Sequence, residues 1–105
     1  MDIARATALS REVSDIYADR CDIQRDQLWY LSKMQEELGE LTSAYLSATG
    51  RGRDRGASQA ERNGAVAEEV ADLFAQLLLF ADYNQIDVSA ALVAKWGKYL
   101  PKESF

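Results

Sequence analysis

The 105 residues suffice for one domain with a modest core, and a composition of 48% hydrophobic and 28% charged residues, with one proline and six glycines, argues against disorder and for helix. A net charge of -5 and a pI near 4.6 argue against a nucleic-acid partner, because proteins that bind such polyanions concentrate Lys and Arg. Histidine is absent, so no Ser-His-Asp or Cys-His site can be built within the chain; carboxylates, Lys, Arg, Tyr or a metal must carry any chemistry.

Residues 2–19 set Ile3, Ala6, Val13, Ile16 and Tyr17 among charges, which predicts a first amphipathic helix. The start, MDIARATALS, has no apolar run of the signal-peptide kind, and Cys21 has no partner for an intramolecular disulfide, so a cytoplasmic protein with a reduced thiol is expected. DIQRD at 22–26 offers Asp22 and Asp26 as N-caps for a second helix, in which Leu28, Leu31, Met34, Leu38, Leu41 and Tyr45 recur every three or four residues. GRGRDRG at 50–56 ends that helix near Thr49 and predicts a mobile basic loop over about 50–60, since it offers no apolar side chain to anchor it.

A third helix, starting between Ser58 and Ala65, runs through Val66, Val70, Leu73, Phe74, Leu77, Leu78 and Phe80 to about Tyr83, with Asn84 as its stop. Its apolar run FAQLLLFA, residues 74–81, is far shorter than the roughly 20 residues of a membrane span, so it belongs in a core and no membrane partner is expected. Asp87 caps a fourth helix, VSAALVAKWGKYL, which Pro101 ends. The prediction is an all-α, four-helix protomer forming a single domain over residues 1–105.

Two segments share one grammar: QEELGEL at 35–41 and AEEVADL at 67–73. Residues three apart lie on neighbouring turns of one helix face, so Glu37 projects with Glu40, and Glu69 with Asp72. Each pair flanks an apolar stripe, and together they can converge in a cleft between helices. Converging carboxylates repel, and the natural relief is a hard divalent cation, Mg²⁺ or Mn²⁺, bound through oxygen. Gly39 and Ala71 occupy the same place in each segment, where small residues would let two helix backbones approach. The alternative is ordinary surface chemistry: Glu61, Glu68 and Glu69 complementing a helix N-terminus, and Lys33 pairing with Glu36 or Glu37. A di-iron bundle is excluded, because its Glu-x-x-His motifs need histidine.

EExxE at Glu36, Glu37 and Glu40, followed by ExxD at Glu69 and Asp72, resembles the signature of MazG-like nucleoside triphosphate pyrophosphohydrolases of the all-α NTP pyrophosphatase superfamily. The likeness covers about residues 28–100. It implies a homodimer or dimer of dimers in which helices of two protomers complete a bundle. It also implies Mg²⁺-dependent hydrolysis of a nucleotide between the α and β phosphates. Carried over, Glu37, Glu40, Glu69 and Asp72 resemble the metal ligands, with Glu36 as an accessory ligand or the residue that orients water. Lys95 and Lys98, three apart on the last helix, resemble the family's phosphate-binding lysines, the alternative being two surface lysines. Arg53, with Arg51 and Arg55, either closes over a triphosphate or solubilises its loop. Trp29 and Tyr30 are candidates to stack on a base, or else to pack; Asn84 either bonds a sugar or base or simply stops its helix.

The expected activity is nucleotide-pool control or house-cleaning, releasing pyrophosphate from a canonical or damaged (deoxy)nucleoside triphosphate. Two alternatives stand beside it. One is a phosphoribosyl-ATP pyrophosphohydrolase with the same acidic core; the other is a noncatalytic helical interaction module with a structural cation.

Overall fold

The structure is a computed structural model that describes residues 1–52 and 56–104. Helices α1 (Ile3–Cys21), α2 (Gln27–Ala48), α3 (Gln59–Tyr83) and α4 (Val88–Trp96) are followed by single 3-10 turns at Gly97–Tyr99 and Lys102–Ser104. Among the described residues there is no strand, and no helix is long and apolar enough to cross a membrane.

Each long helix starts where a short oxygen-bearing side chain can accept from an unpaired backbone N–H. Asp2 accepts from Arg5 N, Asp26 from Trp29 N and Asp87 from Ala90 N, at 2.8, 2.8 and 3.0 Å. At α3 the cap is reciprocal: Ser58 Oγ accepts from Glu61 N and Glu61 Oε1 from Ser58 N, both at 3.1 Å. This capping box starts α3 at the early edge of the expected range. Glu68 and Glu69 therefore lie beyond the first turns, where the helix dipole no longer accounts for them. Asp22 has a different role from the one predicted: at φ 54° it closes α1 in the left-handed conformation, leaving Asp26 as the cap of α2.

Among the described residues, helices α2 and α3 form an antiparallel hairpin with the most extensive contact, and α1 packs against α3. Gln59 Nε2 donates to Ala48 O at 2.9 Å at one end of the hairpin. At the other, the amides of Gln27 and Asn84 bond each other in both directions. Arg11 ties α1 to α3 through two bonds to Asp82, at 2.7 and 3.0 Å. The buried core is small: Ala18, Tyr30, Leu78, Leu79 and Ala81, with Tyr30 against Tyr83 at 4.8 Å between ring centroids.

Two expectations change here. A Cβ added at Gly39 would meet nothing within 4 Å, so close helix packing within the protomer does not explain this glycine. The fourth helix is also shorter than the apolar pattern predicts. It passes into a 3-10 turn at Gly97, four residues before Pro101.

Beyond Val88 every residue of α4 is exposed, including Leu92, Val93 and Trp96. The chain as a whole is open. Its radius of gyration is 16.7 Å, against about 13 Å for a compact domain of this length. Its accessible surface is 7999 Å², against roughly 5,900 Å² for a compact monomer of this mass.

Candidate functional site

The antiparallel hairpin sets Glu37 and Glu40 of α2 opposite Glu69 of α3, and carboxylate oxygens of these three residues lie within 4.8 Å of one another. The residues differ in burial. Glu37 is only 8% exposed, Glu69 is half-buried and Glu40 is exposed. Glu37 Oε2 and Glu69 Oε2 are buried with no hydrogen-bond partner. For Glu37, buried as a whole residue, an acceptor without a partner costs about 1–3 kcal/mol. Glu37 sits where the fold tolerates that cost.

The electrostatics follow from the geometry. Burial, then the charges of Glu40 and Asp72, push the Glu37 carboxyl above the ordinary carboxylate range, while Lys33 opposes the shift. Glu69 is raised in the same way, by burial first and by Glu40 and Asp72 next. Asp72 itself is not within the close trio. It stands beside the trio, near enough to act on both glutamates, and lines a cleft with Glu37.

Both carboxyls hold their protons more tightly folded than unfolded. For the metal-free chain, their contribution to stability is therefore present below the ordinary value of 4.5 and lost as pH rises through the raised values. Asp82 acts in the opposite sense: its bond to Arg11 lowers its pKa, and that contribution is lost on acidification. Comparing wild type with Glu37→Gln/Glu69→Gln isolates the acidic pair. In EDTA, the Tm of wild type is expected to fall relative to the variant as pH rises above 4.5. Parallel Tm curves for the two proteins would contradict this.

The trio lies between two concavities. On one side a cleft of about 520 Å³ among α1, α2 and α3 takes in Trp29, Lys33, Glu37, Asp72 and Gln76. On the other, a groove of about 420 Å³ near the hairpin loop takes in Glu40, Glu69, Ser43, Ser47 and Gly52. The two concavities follow one another along one face of the hairpin, with the trio between them.

The other candidate residues are placed as follows. Glu36 is not within the trio; it pairs with Lys33 at 3.1 Å on the exposed side of α2. Trp29 is half-buried and lines the cleft, with the Lys33 ammonium 6.0 Å from its ring centroid. Tyr30 is buried between Trp29 and Tyr83, and the Asn84 amide is engaged with Gln27 and with Phe80 O, so both have structural partners. Lys95 and Lys98 lie at the exposed end of α4 and the turn after it, Lys98 over the Tyr99 ring at 5.2 Å. The protomer does not bring them to the acidic trio. Arg53 and Arg55 lie outside the described residues; the preceding Gly52 lines the groove beside Glu40 and Glu69.

Two residues beyond those expected line the cleft. Lys33, expected as a surface partner of glutamates, also bears on Glu37 and stands beside the Trp29 ring. Gln76, four residues after Asp72, carries an orphaned buried Oε1 and lines the same cleft; its spacing from Asp72 was the available signal. Compared with protein-family models, curated proteins and solved structures, the chain matches none.

Proposed function

We propose that the chain is a divalent-cation-dependent nucleotide pyrophosphohydrolase that works as a homodimer. It cleaves a (deoxy)nucleoside triphosphate between the α and β phosphates. The observation that carries this reading is the Glu37–Glu40–Glu69 trio, with two buried oxygens that no protein group satisfies. The donor set is all oxygen, which fits Mg²⁺ or Mn²⁺ and not a soft metal. Such a cation, when bound, would neutralise triphosphate charge and draw electrons from the phosphorus under attack.

The protein's own part is positioning, which is most of what phosphoryl transfer requires. Glu37, Glu40 and Glu69 would hold the cation. Asp72, on the cleft side, would complete the ligand set or accept a proton from the attacking water. Water adds its oxygen to the α phosphorus, the bond to the bridging oxygen breaks, and pyrophosphate leaves on the groove side, toward the basic hairpin loop. Glu36, expected as an accessory ligand or the residue that orients water, pairs instead with Lys33 at 3.1 Å beside the cleft.

The homodimer reading rests on the exposed α4 and on the roughly 2,000 Å² of surface in excess of a compact monomer. An area of that order is typical of obligate homodimers. A panel of nucleoside triphosphates with Mg²⁺ tests the activity. Glu40→Gln and Asp72→Asn are each expected to lower kcat/KM by about 10²–10³-fold, with the helical circular dichroism unchanged. Full activity in both variants would remove Glu40 and Asp72 from the chemistry.

A further inference from the structure

We infer that Gln76 reads the edge of a nucleobase held in the cleft among α1, α2 and α3, with the Trp29 ring as its stacking face. This rests on the pyrophosphohydrolase reading and assigns the place of the base of its nucleotide.

Three observations converge on the cleft. First, Gln76 Oε1 is buried without a hydrogen-bond partner, and Gln76 lines the cleft wall. A folded protein rarely leaves a buried acceptor unpaired, and a ligand donor satisfies it without any rearrangement. Second, the cleft is graded along its length. Trp29, Lys33 and Glu37 follow one another every four residues on α2, and Asp72 and Gln76 do so on the antiparallel α3. The acids thus stand at one end and the indole at the other, about 12 Å apart at 1.5 Å of helix rise per residue. A nucleotide whose phosphates lie at the acids would carry its sugar and base toward Gln76 and Trp29.

Third, the groups at the far end suit a base. The Trp29 ring is held edge to face against Tyr30, with centroids 5.2 Å apart and planes at 86°. Its plane is therefore set before anything binds, and an aromatic face of this kind stacks on any base. A glutamine amide presents one donor beside one acceptor, the complement of a base edge that offers an adjacent acceptor and donor. Gln76 thereby takes the recognition role that the partners of Tyr30 and Asn84 deny those two residues.

The test separates this site from the hydrolytic reading. In a Trp96→Phe background Trp29 is the sole indole, and its fluorescence is followed on addition of adenosine, cytidine, guanosine or uridine, none of which needs a metal to bind. Quenching by one or two of the four is expected. Gln76→Leu is expected to weaken that binding about tenfold or more and to flatten the ranking of kcat/KM among the four nucleoside triphosphates. Because the orphaned acceptor is removed, its Tm should be equal to or above that of wild type. A base ranking unchanged by Gln76→Leu, or a lowered Tm that marks Gln76 as structural, overturns the inference even if hydrolysis persists. Selective, Gln76-dependent quenching without hydrolysis of any triphosphate upholds the base site and overturns the hydrolase.

Discussion

Glu37→Gln is expected to weaken divalent-cation binding at least about 10²-fold while making the metal-free chain more stable. The two effects have one cause. Glu37 is 8% exposed, its Oε2 has no partner, and Glu40 and Asp72 add like charge to it. Glutamine keeps the shape, removes the buried charge and supplies an N–H that can donate to Glu40 or Glu69. Relief of an orphaned, charge-repelled group is worth about 1 kcal/mol or more, which raises the Tm of a domain of this size by roughly 4–8 °C. The charge that destabilises the metal-free fold would also attract a cation, and the neutral carbonyl of a glutamine would replace only part of that attraction. Titration with Mn²⁺ followed by electron paramagnetic resonance gives the affinity, and thermal melts in EDTA give the stability. A variant that is less stable and still binds Mn²⁺ normally would make Glu37 an ordinary core residue.

The native mass in solution is expected to be twice the 11.7 kDa of the chain or a higher even multiple. Helix α4 has nine residues, and isolated helices shorter than about 12–15 residues are marginal in water. Leu92, Val93 and Trp96 of α4 are 58%, 44% and 68% exposed, so the protomer itself supplies little to hold this helix. A second copy covering α4 would account for both the helix and the open shape. Leu92→Glu/Trp96→Glu is expected to give an 11.7 kDa species by light scattering, with loss of helical signal from α4. A wild-type monomer with α4 intact would contradict the homodimer.

The helices were legible because their signals are local. Apolar residues spaced three and four apart place α1 to α3, and Asp26, Asp87 and Asn84 mark ends where the structure has them. Asp22 was misread because an aspartate before a helix caps in the same way from two positions, and only the path of the chain decides between them. The end of α4 was misread because the apolar pattern continues through Tyr99 and Leu100 while the backbone tightens at Gly97.

The acidic pairs were legible only in part. Spacing of three puts Glu69 and Asp72 about 60° apart around the helix, so packing against α2 brings Glu69 to the close trio and leaves Asp72 on the cleft side. Which member faces the seam depends on helix rotation, a tertiary property. The cleft itself exists only because α1 packs on the α2–α3 hairpin, and so Gln76 carries no signal in sequence beyond its distance from Asp72.

The most direct test of the central claim is pyrophosphate release by the purified wild-type chain from a panel of canonical and damaged (deoxy)nucleoside triphosphates, with Mg²⁺ and again with EDTA. The account predicts equal amounts of pyrophosphate and nucleoside monophosphate from at least one substrate, only with the metal present. Saturation of the protein with Mg²⁺ or Mn²⁺ without release from any nucleotide would contradict it, and would leave the three glutamates as a structural cation site.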